Sequence, residues 1–321
     1  MTDFFKDKRV LVTGGSGFVG TNLTKRLLSL GAKVRATIHK KPPVFNSRDV
    51  EYVSCDLTKK ADCEKVASGV NYVFMCAANT SGAAVMEKTP LVHVTPNVLM
   101  NSLMLEASYE AGAQKFLFIS SNTVYPVTNH AVKEDEMSFN GLFEKYFCVG
   151  WMKIFTEILC EMYAKKIKNP MKTVVVRPGN IYGPHDDYEW ATSHVLPALM
   201  RKVIEKHSPL EVWGDGRDIK DFIYIDDFME GLLLAMQKIE TFDPINIASG
   251  KPVSVKEALR IILNAGDYSN AEVNFNTSKP TMIPLRLIDV SKAKQLLGFE
   301  AKTSFEDGIK NTIKWYREGS V

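Results

Sequence analysis

The sequence predicts an α/β fold: a doubly wound parallel sheet followed by a smaller C-terminal α/β lobe. Three observations lead there. Short apolar runs alternate with segments of helical spacing up to about Asn180. A glycine-rich turn joins the first run to the first helix. After about Asn180 the elements shorten, and Gly, Pro, His and Asp cluster at GPHDDYEW.

The elements follow in order. Lys8–Thr13 is an apolar run ending in glycines, and Phe18–Leu30 places Phe18, Val19, Leu23, Leu27 and Leu28 at helical spacing. Further strands are predicted at Lys33–Ile38, Val50–Ser54, Val70–Cys76, Lys115–Ser120 and Thr173–Arg177, and helices at Pro96–Ala111 and Gly150–Lys166. Later helices are predicted near Ser193–Lys206, up to Lys238, at Val253–Ala265 and at Ser304–Arg317. This divides the chain into residues 1–180, the sheet domain, and 181–321, a substrate lobe, with the chain returning to the sheet side around 220–250.

The 321 residues are 45% hydrophobic and 24% charged, a globular composition. A formal net charge of +3 argues against a nucleic-acid partner and suits an anionic small ligand. No stretch is apolar for the length a bilayer requires, and Met1–Arg9 lacks the apolar run of a signal peptide, so no membrane association and a cytoplasmic location are expected. Cys55, Cys63, Cys76, Cys148 and Cys160 show no paired spacing and are expected as reduced thiols, with no metal site.

At the first strand-to-helix junction stands VTGGSGFVG. Gly14, Gly17 and Gly20 are spaced GxxGxxG, and Gly15, Gly17 and Gly20 also satisfy GxGxxG. Missing side chains permit a tight turn and let a pyrophosphate approach the backbone, while the helix start supplies amide donors. In this position the motif predicts a dinucleotide on a Rossmann sheet, held by Gly14, Gly15, Ser16, Gly17, Phe18, Val19 and Gly20. The second strand ends in Ile38-His39-Lys40-Lys41. An acid there would bind the ribose 2′-hydroxyl of NAD(H); His39 and Lys40 suit a 2′-phosphate instead, so NADP(H) is favoured, with NAD(H) as the alternative. Asp56, after the third strand, is a candidate acceptor for the adenine amino group.

TGGSGFVG (Thr13–Gly20), CDL (Cys55–Leu57), CAAN (Cys76–Asn79), FISSNTVY (Phe118–Tyr125), RPGNIYGP (Arg177–Pro184) and GDGRDIKDFIYIDD (Gly214–Asp227) run in an order that resembles the extended short-chain dehydrogenase/reductases, the NAD-dependent epimerase/dehydratases. Within that family the stretches NVLMNSLMLEAS, SSNTVYP, KIFTEILCEMY and NIYGPHDDYEWATSHVLPAL are most similar to GDP-4-keto-6-deoxymannose epimerase/reductases, the GDP-fucose synthases. The resemblance implies a nucleotide-diphosphate-sugar substrate, with a GDP-sugar suggested by this likeness alone. It also implies cofactor contacts from Leu57, Ala77, Ala78 and Pro178.

Such enzymes use a Ser or Thr, a Tyr, and a Lys four residues after the Tyr. The tyrosine moves a proton to or from the sugar oxygen, the lysine holds the nicotinamide ribose and lowers the tyrosine pKa, and the serine hydrogen-bonds the reacting oxygen. The matching positions are Ser121 and Lys153, but the tyrosine position is Val149. Tyr146 lies nearly two helical turns before Lys153 and shares its face if the helix extends that far back. It is the candidate acid, with packing at the helix start as the alternative; Tyr125 and Tyr182 are expected to pack. Fucose synthases also place a cysteine and a histidine beside the ketone. His194 matches the histidine, as acid, base or substrate contact. The cysteine position is Thr123, whose hydroxyl titrates too high to abstract a carbon-bound proton unaided.

Asn180, Arg201, Lys220 and Arg286 match positions that clamp the substrate diphosphate, Lys220 standing where arginine is usual. The helix after Gly150 carries Trp151, Ile154, Phe155, Ile158, Leu159 and Met162 as an apolar stripe, and the helix at Asn97–Ala111 is broadly apolar, which predicts a homodimer through four helices. Three activities fit these residues. The leading expectation is NADP(H)-dependent reduction of a 4-keto nucleotide sugar. The others are an epimerase that recycles a tightly bound cofactor, and a weakened relative that binds both ligands.

Overall fold

The computed structural model describes residues 2–80, 89, 91–190, 192–279 and 281–319. Its central sheet contains β1 (Arg9–Val12), β2 (Lys33–Ile38), β3 (Val50–Ser54), β4 (Tyr72–Met75), β5 (Lys115–Ile119), β6 (Lys172–Pro178) and β7 (Ile245–Ile247). They lie in the order β3-β2-β1-β4-β5-β6-β7, and every neighbouring pair is parallel. The order reverses between β1 and β4, where a doubly wound sheet opens a crevice beyond the carboxyl ends of its strands.

Both faces are buried because successive side chains of a strand point to opposite sides. Val10, Val12, Phe74, Leu117, Val174 and Val176 enter one core, with Leu23 and Leu27 of the helix Phe18–Ser29 and with Phe228, Leu232 and Met236 of the helix Ile225–Lys238. Leu11, Val73, Met75, Phe116, Phe118 and Val175 enter the other, with Cys63, Met104, Leu105 and Cys160. All five cysteines are free thiols.

Among the departures from the sequence reading, two helices lie beside the first strands of the sheet. A helix at Lys60–Ala67 separates β3 from β4; its apolar face is only Cys63, Val66 and Ala67, too narrow to read from periodicity. The next helix runs Leu91–Glu110 and passes through Pro96, where a start was expected. Proline has no N–H to donate back to Val92, and Asn79 Nδ2 donates to the Val92 carbonyl instead, at 2.9 Å. A contact distant in sequence thus supplies the bond that the helix itself lacks.

Beyond β6 the chain builds a three-stranded sheet from Asn180–Tyr182, Ile219–Tyr224 and Pro252–Ser254, a pair from Leu210–Trp213 and Val273–Asn276, and helices at Val195–Ile204, Val255–Ala265 and Phe305–Gly319. Between these, the helix Ile225–Lys238 and β7 belong to the first sheet, so a cut after residue 180 separates β7 from its neighbour β6.

The helix Phe147–Lys165 is joined to the sheet by a buried polar network. Arg177 of β6 and Glu157 of the helix are each 1% exposed. Arg177 Nε and Nη2 donate to the Glu157 carboxylate at 3.1 and 2.6 Å, and Ser120 Oγ donates to the same carboxylate. Arg177 Nη1 donates to the Tyr125 hydroxyl at 3.1 Å and to the Glu134 carbonyl at 2.7 Å, and Tyr125 donates to Asn246 Oδ1 at 2.6 Å. Five segments meet there, and removing one charge strands the other in the core. Arg177→Met is therefore expected to lower unfolding free energy by about 3–5 kcal/mol in urea titration. Glu157→Gln combined with Arg177→Met should recover part of that loss.

Candidate active site

The glycine turn at the end of β1 has the shape a pyrophosphate needs. Gly14 takes φ +69° with its Cα side against Ala77, and a Cβ at Gly20 would stand 2.1 Å from the Gly14 carbonyl oxygen. Thr13 Oγ1 accepts from the amides of Cys76 and Ala77, both at 2.9 Å, and so joins the carboxyl ends of β1 and β4. Gly14 N donates to Thr37 Oγ1 and Gly15 N to the Thr37 carbonyl, which tie the turn to β2. The turn then enters the helix Phe18–Ser29, and this cradle fits a dinucleotide diphosphate. Ser16, Phe18 and Val19 are half-buried around it. Beyond β2, His39 and Lys40 are exposed. Hydrogen bonds from Thr58 hold the Asp56 carboxyl below its ordinary pKa, and His39 adds to this by charge. The basic segment and Asp56 thus share one end of the crevice. Leu57 and Pro178 are buried, and Ala77 and Ala78 follow β4 at the rim.

Ser121 follows β5 and begins a 3-10 turn at Asn122–Val124. Its Oγ accepts from Thr123 N at 3.1 Å and from Thr123 Oγ1 at 3.0 Å. The helix Phe147–Lys165 docks on this turn through Gly150, where a Cβ would lie 2.8 Å from the Thr123 carbonyl oxygen. One turn on, Lys153 Nζ donates to the Ile119 carbonyl at 2.8 Å and lies over the Phe118 ring. Burial pulls its ammonium down to about 8, against a smaller opposing effect from Glu157.

Glycine turn, serine turn and lysine helix lie at the carboxyl ends of β1 and β5 of one parallel sheet. The family model for the NAD dependent epimerase/dehydratase family matches residues 10–248. The chain belongs to that family. Its sequence is 27% identical to the probable GDP-L-fucose synthase 1 of Oryza sativa subsp. japonica, over 99% of this chain and 95% of that protein. Its structure is similar to the UDP-glucose 4-epimerase of Thermotoga maritima solved with UDP-glucose, with TM-score 0.88 and 25% identity over 98% of this chain and 100% of that one. It is also similar to a GDP-6-OMe-4-keto-L-xylo-heptose reductase from C. jejuni, with TM-score 0.83 and 25% identity over 98% of each chain. The protein is an NAD(P)-dependent enzyme of the oxidoreductase or epimerase kind.

Against the epimerase/dehydratase pattern, Val149 stands half-buried at the tyrosine position. Tyr146 immediately precedes the helix and packs near Phe143. Burial pushes its phenol up to about 12, and no cation is among the causes acting on it. Tyr125 and Tyr182 are fully buried, Tyr182 among Phe222, Tyr224 and Phe305. His194 is the exposed residue before the helix Val195–Ile204; its side chain caps nothing, while its carbonyl accepts from Ala198 N at 3.1 Å.

Of the expected diphosphate cations, the structure pairs two. Arg286 is 2% exposed, donates to the carbonyls of Pro126 and Tyr125, and keeps a buried Nε without a partner. Burial lowers it to about 10. Lys220 donates to the Ile283 carbonyl and to Asp218, and its pKa falls through burial, with Arg286 repelling it. Arg201 is not brought to them. Glu205 holds its Nε at 2.7 Å, the Tyr188 carbonyl takes Nη1, and its guanidinium lies over Trp190. Asn180 is half-buried beside Phe222, its pairing partner in the second sheet.

The sequence reading missed a polar cluster in the GPHDDYEW turn. Lys25 donates to His185 Nε2 at 2.8 Å, so the imidazole is neutral, in keeping with its pKa near 4 under burial. Next to it, Asp186 Oδ1 accepts from Asp187 N while its buried Oδ2 has no partner. Burial raises this carboxyl from 3.8 to about 7. The native state therefore holds a proton that the unfolded chain releases between about pH 4 and 7, and stability falls as pH rises through that window. Asp186→Asn is expected to melt several degrees above wild type at pH 8. Near pH 4 the two should melt together, as differential scanning calorimetry would show.

Proposed function

We propose that the protein reduces a 4-keto nucleoside-diphosphate sugar to its 4-hydroxy form with NADPH. The carrying observation is Thr123, where fucose synthases have their cysteine: its hydroxyl is spent on Ser121, so the position supplies no carbon acid–base group. Epimerisation at the carbons beside the ketone then lacks half of its machinery, and reduction needs neither Thr123 nor His194 as a base. When bound, NADPH supplies the hydride. The glycine turn from Gly14 to Gly20 would hold its diphosphate, His39 and Lys40 its 2′-phosphate, Asp56 its adenine, and Lys153 its nicotinamide ribose. Ser121 would orient the sugar oxygen, and Arg286, Lys220 and Asn180 would receive the sugar diphosphate. Likeness to a GDP-L-fucose synthase and to a reductase of a GDP-linked 4-keto sugar supports a GDP-sugar.

NADPH absorbance with GDP-, dTDP-, UDP- and CDP-4-keto sugars tests this reading. Turnover is expected with a GDP-sugar, and at least about tenfold better with NADPH than NADH. The likeness to a UDP-glucose 4-epimerase favours the second reading, a cofactor-recycling epimerase. Epimer interconversion without net NADPH loss in the same tubes would establish it instead.

The same reading includes a homodimer. Leu91, Val92 and Leu99 on one helix, and Phe147, Trp151, Phe155, Ile158 and Met162 on the helix packed beside it, are exposed large apolar side chains. Ile154, expected in that stripe, is fully buried against the chain's own core. Pairing these two helices with a second copy would cover an apolar surface that water otherwise contacts. Sedimentation is expected to show a dimer for wild type and a monomer for Phe155→Glu.

A further inference from the structure

Resting on the reductase reading, we propose that Lys153 itself gives the proton to the sugar oxygen, taking the place of the missing tyrosine. The geometry at the end of β5 carries it. Gly150 presses the helix directly onto the Ser121–Thr123 turn, which brings the next helical turn, with Lys153, to the end of β5. Val149 offers no donor there. Lys153 is anchored on the Ile119 carbonyl, two residues before Ser121, and an ammonium with one such bond keeps two further N–H donors. Both Thr123 donors fill the lone pairs of Ser121 Oγ, so the Ser121 proton is free to point at the sugar oxygen and align it.

The surroundings match the role. From β5, Lys153 faces the Phe118 ring and the Ile119 carbonyl. Among the described residues, the charge acting on it is Glu157 of its own helix, and that carboxylate is already shared between Arg177 of β6 and Ser120. With burial dominant the ammonium titrates near 8, close enough to working pH to release a proton. Burial raises the Tyr146 phenol to about 12, which leaves it a poor acid at neutral pH. In the step, the carbonyl carbon takes hydride from the nicotinamide, and the oxygen forms its O–H bond with a proton from Lys153 Nζ. The ketone is reduced to the alcohol and NADPH oxidised to NADP+, and the neutral amine recovers its proton from solvent.

Lys153→Arg keeps the charge and the ribose donors but holds its protons too tightly to give one up. It is expected to lower kcat by about 100-fold or more while NADPH affinity, read by fluorescence, stays within about threefold. In wild type, kcat should fall above pH 8, and 15N NMR of the labelled Lys153 Nζ should titrate with the same midpoint. An arginine variant that retains the rate, a kcat level up to pH 10, or loss of turnover in Tyr146→Phe overturns the assignment while leaving the reductase reading intact. Wild-type protein that consumes NADPH with none of the four classes of 4-keto sugar overturns the reductase reading itself.

Discussion

The buried ion pair between Glu157 and Arg177 is the constraint on which the rest of the site depends. Two charges inside a sheet protein are costly unless every donor and acceptor is matched. Here the carboxylate accepts from Arg177 and Ser120, and the guanidinium also reaches Tyr125 and the Glu134 carbonyl. Tyr125 passes the connection to Asn246 on β7. Because these partners lie on β6, β7, the Ser120–Tyr125 turn and the helix Phe147–Lys165, the helix has one acceptable register. A slide of one residue would turn Glu157 away from Arg177.

That register delivers the chemistry. Glu157 and Lys153 are one turn apart, so holding Glu157 under the sheet also holds Lys153 at the end of β5. Gly150, a further turn back, lets the helix approach the Ser121 turn closely enough for backbone contact. The arrangement keeps the scaffold of the epimerase/dehydratase family, with Val149 on the docked helix and Thr123 on the Ser121 turn. Thr123 then serves by hydrogen-bonding Ser121.

The two lobes are tied by more than the chain crossings. Asn22 and Lys25, on the helix that follows the glycine turn, reach the Pro184 carbonyl and His185 of the opposite lobe. The same turn carries Asp186 with its raised carboxyl, and His185 packs edge-on against Trp315 of the last helix. The helix after the glycine turn and the segment leading to His194 therefore share a contact in which burial outweighs charge.

Much of this was legible in the chain. Apolar runs predicted the strands from β1 to β6: β1, β4, β5 and β6 are buried nearly throughout and so must be apolar on both faces, whereas β2 and β3 are buried only in part. The glycines marked the tight turn after β1, because only residues without Cβ fit where the chain touches itself. The spacing of Ser121, Val149 and Lys153 singled out the turn after β5 and the helix that docks on it. Other features only the folded chain decides, since their partners are far apart in sequence. Glu157 and Arg177 stand on different elements, and nothing in their local sequence makes them a pair. The helix could cross Pro96 because Asn79 takes the orphaned Val92 carbonyl. Lys220 and Arg286 come together while Arg201 is held apart by Glu205, although all three read alike as basic residues. Local pattern specifies which face of an element is buried; which polar groups meet across the buried space is set by packing, where an unmatched charge or carbonyl costs more than the local sequence can reveal.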